Sequence, residues 1–374
     1  MKEEENKALL LRKLPGTQKR GWPWDEESLP PMAAPETENL PVITIVTPTL
    51  NQGGFIEETL RSVLLQNYPR LEYIILDGGS TDNTLEIIRK YRPWISHWES
   101  KKDSGQAAAI QEGFGRSTGT FLSWLNSDDL LCKNALWNLA GFLIEQEEVD
   151  FIFGYAFFYE NGNLLRFETK RENIALRALG SFPFVQPACF FSASCLEKVG
   201  SIDAGLDITF DYDLFARMAL SGATMQFIPA DLAIFRRQPD AKTHRYNHAW
   251  DKDRTETFSR VLRSLEVEES MLKLLMSIGA YKNGKKRYPT SRIYNEKEKH
   301  SVIADFIHDN LYLYYADMRN FERTFKNARF LKRHLPEHFT KVARKYFYRS
   351  FIFKHFPPLH KLWRNFSRGL SRTS

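Results

Sequence analysis

The sequence is short of cysteine, of long apolar runs and, near its amino end, of lysine-rich phosphate loops. Cys132, Cys189 and Cys195 are its three cysteines. No two of them have the spacing of a metal knuckle or a disulfide framework, so they read as small buried apolar groups in a reducing compartment. No uninterrupted apolar stretch approaches the roughly 18–20 residues of a membrane span. The opening MKEEENKALLLRK is acidic and lacks an apolar core of leader length, so a cytoplasmic chain is expected. Internal repeats are missing too. At 374 residues, 43% hydrophobic and 14% aromatic, the chain can still bury a sizeable core as one large domain with appendages, or as two.

Acid is scarce at one end. Residues 331–374 hold eleven Lys or Arg against one acid, Glu337, a balance of +10; with +6 over the whole chain, residues 1–330 carry −4. The basicity is a C-terminal feature.

Residues 1–40 are polar and proline-rich and read as an extension with little structure of its own. From Pro41 the texture changes. VITIVTP is a β-branched run, a buried strand, and FIEETLRSVLLQ places Ile56, Leu60, Val63 and Leu64 at helical spacing. EYIIL is a second strand, stopped by DGGSTDNT; the helix TLEIIRKY, a short strand WISHW, the helix GQAAAIQEGF, the strand TFLSWL and a helix from about Ala135 to Glu145 follow. Strand and helix alternating with short links predict an α/β fold, a mostly parallel sheet flanked by helices. Ligands of such sheets sit beyond the carboxyl ends of the strands, where TPTLNQGG, DGGSTD and NSDD all fall. After Asp150 the pattern is mixed: a hairpin on the Asn-Gly turn of DFIFGYAFFYENGNLLRF, a helix TFDYDLFARMALSG ended by Gly222, and extended TMQFIPADLAIFRR. Residues 246–330 read as helical.

FLSWLNSDDLL poses a question of charge. Asp128 and Asp129 stand side by side between apolar segments, where two carboxylates repel and are costly to desolvate without a positive neighbour. A hard divalent cation, Mg²⁺ or Mn²⁺, bridging carboxylate to phosphate oxygens is one answer. An N-cap and turn is the other.

VTPTLNQGGFIEETLRSVLLQNYPRLEYIILDGGSTDNT, DSGQ, WLNSDD and DYDLFAR, in that order, resemble the motifs of the family 2 glycosyltransferases, inverting enzymes of the GT-A fold. The resemblance runs from Pro41 to about Thr243. It implies a Rossmann-like nucleotide-binding half and an acceptor half within residues 41–245, followed by a helical extension, 246–330, and a basic tail, 331–374. It implies a nucleotide-diphosphate sugar as donor, from a uridine nucleotide, and a glycan or lipid-linked acceptor in surface polysaccharide synthesis. Thr47, Pro48, Thr49 and Asn51 are then expected to line the nucleotide pocket. Asp77 would accept from the base ring beside Gly78, Gly79 and Ser80, and Asp103 would help hold the nucleoside. Asn126, Ser127 and Asp128 stand where the family has its Asp-x-Asp motif, with Asp128 the metal ligand and Asp129 supporting it. Asp211 would be the general base and Gln186 an acceptor-side residue.

Three positions depart from the family pattern. Ala108 and Gln111 replace polar groups beside the donor, and Gln238 stands where a His is usual, with His244 and His248 as nearby alternatives. They keep open a second reading, a catalytically degenerate nucleotide-sugar-binding or scaffold protein of the same fold. A nucleotidylyltransferase is disfavoured, because TPTLNQGG has no Lys or Arg. In the tail, Phe339, Val342, Tyr346 and Phe347 share a helical face against Lys341, Arg344, Lys345 and Arg349, and LHKLWRNFSRGL repeats the design. Residues 339–372 are therefore expected either to hold an anionic membrane surface peripherally or to dock on the protein itself. Nucleic acid is not expected, since the aromatics are segregated from the charges.

Overall fold

A computed structural model describes residues 10–32, 34–146, 148–238, 248–316 and 320–356. The chain forms two compact units, residues 1–174 with 183–245, and residues 175–182 with 246–374.

In the first unit β1 (Ile43–Thr49), α1 (Ile56–Leu64), β2 (Leu71–Asp77), α2 (Thr84–Tyr91), β3 (His97–Ser100), α3 (Gln106–Arg116) and β4 (Phe121–Trp124) follow the alternation read from the sequence. β1 pairs in parallel with β2 and β4, and β2 with β3. Every residue of β1 is buried, as expected of a β-branched run covered on both faces. Pro48 is tolerated there because the β4 ladder stops at Val46, leaving no partner to miss its absent N–H. Thr49, Asp77 and Ser100 sit in register at the carboxyl ends of three adjacent strands. That line of three is where the candidate site begins.

The other half is mixed. β5 (Leu130–Leu131), α4 (Ala135–Glu145), β6 (Phe151–Glu160), β7 (Asn163–Phe167), β8 (Cys189–Ser192), α6 (Ala193–Val199), α7 (Phe210–Leu220) and β9 (Met225–Arg236) complete the unit; α5 (Ile174–Gly180), between β7 and β8 in the chain, belongs but for its first residue to the second unit. The sheet runs β3-β2-β1-β4-β8-β6-β9-β5, with β7 on β6; β8 is antiparallel to β4 and β6, and β9 parallel to β6. The β6–β7 hairpin turns at Asn161 and Gly162, both at positive φ (51° and 82°), the two left-handed residues its tight turn requires. β8 had no signal in the sequence: four residues are too few to show a period. The second unit also comprises α8 (His248–Ser264), α9 (Glu269–Ser277), α10 (Glu296–Ala316), α11 (Phe321–His334) and α12 (Lys341–His355).

The segment before β1 has little regular structure, as expected, yet it is not loose. Leu14, Trp24 and Leu40 are buried, and Trp22 Nε1 donates to the Leu131 carbonyl at 2.9 Å. Its anchor is Arg61 on α1, 1% exposed. That guanidinium donates to the carbonyls of Pro15, Pro23 and Trp24 and to the Tyr91 hydroxyl, at 2.8–3.1 Å, and Tyr91 in turn donates to Glu57 at 2.9 Å. A buried cation is tolerable only when its donors are matched in this way. Arg61→Ala strands these acceptors in the interior. We expect a loss of about 3–5 kcal/mol, visible as a fall in the midpoint of thermal unfolding followed by circular dichroism.

Candidate active site

Asp77 is held by its own turn. Its carboxylate is buried and accepts from Gly79 N (3.0 Å), Ser80 N (2.9 Å), Ser100 Oγ (2.6 Å) and, in a short bond, Ser80 Oγ. Four donors commit this group to shaping residues 77–80, which weakens the expectation that it meets a base. Asp103 is freer. Its Oδ1 accepts from Gly105 N at 2.8 Å, its Oδ2 has no hydrogen-bonding partner among the described residues, and its carboxyl atoms lie 3.1–3.3 Å from where a Cβ on Gly78 would stand. Gly78 thus leaves the room that Asp103 overlooks. Leu76, Asp77, Lys101, Asp103 and Ala109 line a small cleft there.

Asn51, at positive φ, stitches two strand-end loops together: its N–H donates to Ser80 Oγ (2.7 Å) and its Oδ1 accepts from Thr81 N (2.8 Å). Thr49 Oγ1 and Gln52 Oε1 are buried without a hydrogen-bonding partner among the described residues. Such atoms are costly to leave unmet, and they are what a ligand beyond β1 could satisfy. Thr47 departs from expectation. Two residues further back in the strand, it is fully buried with its hydroxyl 3.1 Å from Tyr73 Oη, a core contact.

The positive neighbour of the Asp128–Asp129 pair is Arg236, at the end of β9. Its backbone N–H donates to Asp129 Oδ1 (3.0 Å), its Nε makes a short bond to the Asp128 carbonyl, and its guanidinium pairs with Glu58 of α1 at 2.6 Å. Asp129 Oδ2 accepts from Asn126 Nδ2 (3.2 Å), and Asn126 Oδ1 accepts from Gln106 Nε2 (2.7 Å) at the start of α3. Both oxygens of buried Asp129 are therefore taken up inside the fold, a structural post in place of the expected supporting ligand. Burial, then the charge of Asp128, push its carboxyl well above the usual range. Asp128 is only partly buried; burial raises it and Arg236 opposes the rise. Its Oδ2 accepts from Gln238 Nε2 at 3.2 Å. His244 lies outside the described residues.

A divalent cation fits this donor set in one way. Asp128 offers a carboxylate and Gln238 an amide, both hard oxygen donors once the amide is turned. Mg²⁺ and related ions are commonly held by one or two carboxylates together with a substrate's phosphates. Among the described residues no three His, Cys, Asp or Glu gather to hold an ion without such help.

Asp211 lies in the first turn of α7, its Oδ1 accepting from Tyr212 N at 2.8 Å. Burial pushes its carboxyl up to about 7, with no cation among the causes. Asp213, two residues on, differs: it is buried and bound to Arg217 Nε at 2.8 Å, and Arg217 also donates to the carbonyls of Val199, Gly200 and Ser201. Asp213 is thus the structural carboxylate of the DYD pair. α7 is held to the end of β4 by Trp124, whose ring lies 6.1 Å from Phe210 and 6.0 Å from Phe215, so Trp124 is core, as expected. Gln186 Nε2 donates to the Trp124 carbonyl at 2.7 Å, bringing Gln186 to the same strand end. Gln106, Glu58 and Arg236 went unread in the sequence. Gln106 closes the DSGQ motif and Arg236 sits in FRRQ, but their partners are distant along the chain.

Residues 44–199 match the family described as Glycosyl transferase family 2. The chain is 26% identical over 212 residues to an uncharacterised glycosyltransferase of Rickettsia typhi, covering 54% of this chain and 66% of that one. It is 32% identical over 130 residues to TuaG of Bacillus subtilis, provisionally named a teichuronic acid biosynthesis glycosyltransferase, covering 33% and 51%. The chain thus spans about half to two thirds of the length of these two relatives. Staphylococcus aureus TarS 1–349, solved with UDP-GlcNAc, shares the fold at a TM-score of 0.55 and 16% identity, over 84% of this chain and 91% of that one.

The desolvated carboxyl of partly buried Asp211 has a stability signature. Its ordinary value is 3.8 and the folded chain holds it near 7, so the folded state binds this proton more tightly than the unfolded one. The associated stability is present at low pH and is lost as pH rises from about 4 to 7. Asp211→Asn, which never ionises, should raise the unfolding midpoint more at pH 8 than at pH 5 in paired thermal melts; a gain equal at both pH values would mean the carboxyl is not held protonated.

Proposed function

We propose that the chain is an inverting glycosyltransferase that moves a sugar from a nucleotide diphosphate to a hydroxyl of a glycan or lipid-linked acceptor in surface polysaccharide synthesis, at the cytoplasmic face of a membrane. The observation that carries this reading is the contrast between two carboxylates near the end of β4. Asp128 and Asp211 are both partly buried; at Asp128 the rise that burial causes is opposed by Arg236, whereas Asp211 is held near 7 with no cation to oppose the rise. Environments that push two acids apart assign them different tasks.

In this reading Asp103 and the unmet atoms of Thr49 and Gln52 hold the nucleoside, and Gly78 leaves space for the base. A protein of this fold was solved with UDP-GlcNAc, so UDP-sugars are the donors proposed. Asp128, with Gln238, would hold Mg²⁺ or Mn²⁺, which when bound supplies neutralisation of the leaving diphosphate. Gln186 orients the acceptor. Asp211 takes the proton of its hydroxyl as that oxygen bonds to the anomeric carbon; the carbon–oxygen bond to the diphosphate breaks on the opposite face, inverting the centre. No covalent enzyme intermediate is required.

Gln238, with Ala108 and Gln111, favours a second reading in which the donor is bound but not turned over. Donor binding and transfer separate the two. By titration calorimetry Asp128→Asn should lose cation-dependent affinity for UDP-GlcNAc at least tenfold. Asp211→Asn should bind donor as wild type does and transfer 10²–10⁴-fold more slowly, roughly the worth of a positioned base. Wild-type turnover should rise with pH through a midpoint near 7 and level off above it, because Asp211 works ionised. Cation-dependent binding by wild type without turnover of any nucleotide sugar tested would select the second reading.

A further inference from the structure

The helix α12 has two unlike faces. Ala343, Phe347 and Ser350 follow at helical spacing, and Ala343 and Ser350 are buried. Phe347 stacks on Phe325 of α11 with ring centroids 5.1 Å apart, and Phe353 lies 5.1 Å from Phe321. Lys354 reaches Glu322 of α11 at 3.9 Å. This face is therefore docked on α11, and Phe347 takes the second of its two expected fates, cover by the protein itself.

The opposite face has no cover among the described residues. Lys341, Lys345, Tyr348, Ile352 and Phe356 recur at intervals of four, three, four and four residues, one stripe of a helix. Tyr348, Ile352 and Phe356 are 54%, 41% and 57% exposed, and Val342 beside the stripe is 57% exposed. Lys341, Arg344, Lys345 and Arg349 make no ion pair among the described residues. Residues 341–356 contain no Asp or Glu at all. Isolated exposed apolar residues are ordinary; a row of them interleaved only with cations is not. A protein partner with an acidic face would match the charge but leave the apolar row in water. An anionic bilayer meets both demands, its headgroups taking the cations and its outer acyl region the aromatic and aliphatic side chains. No described helix is long and apolar enough to cross a membrane.

We propose that the outer face of α12, the stripe Lys341–Lys345–Tyr348–Ile352–Phe356 with Arg344 and Arg349 at its sides, lies flat on an anionic lipid surface. The helix rides on α11, which fixes the face it presents. This deepens the reading of a lipid-linked acceptor only by giving that acceptor a reason to be at hand; vesicle binding is measured without donor or acceptor, so it can fail or succeed independently of transfer.

The test is co-sedimentation of the full chain with vesicles of phosphatidylcholine alone or with 30% phosphatidylglycerol, near 50 mM and 500 mM salt. Wild type should partition onto the anionic vesicles at low salt, weaken at high salt and largely ignore the neutral ones. The triple variant Lys341→Gln, Lys345→Gln, Arg349→Gln should lose roughly a hundredfold in partition coefficient, each cation near such a surface being worth about fivefold. Ile352→Ser with Phe356→Ser, at exposed positions, should also weaken binding while leaving the circular dichroism spectrum unchanged. A chain ending at Phe356 separates this face from residues 357–374, which lie outside the described residues; it should bind as the full chain does. Equal binding to both vesicle types, no binding at all, full binding by the triple variant, or loss of binding on truncation alone would overturn the proposal.

Discussion

One buried guanidinium decides where the candidate chemistry can occur. Arg236 ends β9 and reaches α1, the Asp128 carbonyl and Asp129 together, so a strand from the second half of the sheet, a helix from the first and the loop beyond β4 meet on a single cation. Without it, two adjacent carboxylates beside buried segments would face each other with nothing to offset their repulsion. With it, one carboxyl is absorbed into the fold and the other is left outward. The pair is divided into a post and a tool.

Helix α1 is the frame on which this division rests. It is short and amphipathic, yet a buried edge of it is polar. Thr59 Oγ1 donates to the carbonyls of Ser127 and Asp129 at 2.9 and 2.8 Å, Ser62 Oγ accepts from Leu131 N at 3.2 Å, and Gln66, just past the helix end, donates to the Cys132 carbonyl at 2.8 Å. Positions 59, 62 and 66 recur at three and four residues, one face of a helix, and they grip the loop at consecutive points. Each bond is modest by itself, about 1 kcal/mol net. Their joint effect is geometric, since a loop bonded at every second residue has little freedom to move its outward carboxylate.

What the sequence made legible was local. Strand–helix alternation, the Asn-Gly hairpin and the polar clusters at strand ends depend on neighbours within a few residues, and the strands and helices lie where those signals put them. Asp128 stood out because two adjacent carboxylates between apolar segments are unusual, whereas Asp211 was marked only by the resemblance of DYDLFAR to a family motif. The partners that define their environments did not, because Arg236 meets Asp129 across 107 residues and Gln106 meets Asn126 across 20. The same distance problem made Asp77 look like a free acceptor and Thr47 like a pocket residue: neither the donors around Asp77 nor the Tyr73 hydroxyl could be placed without the fold. Helix faces fared similarly. Periodicity located an amphipathic α12 but could not say which of its two sides another helix would cover.

The N-terminal strap has a consequence for the order in which the chain assembles. Its carbonyls close on Arg61, 37–46 residues away, and Trp22 closes on Leu131, 109 residues away, while the strap itself has almost no regular structure to form early. Contacts of that separation incur their loop-closure entropy before any local bond rewards it. With almost no regular structure of its own, the strap can only seat on α1 and the sheet once they are in place. Contacts made after the rate-limiting step act on the way out of the native state more than on the way in. The strap works as a latch on a finished domain, setting how long the fold persists with little bearing on how quickly it is reached.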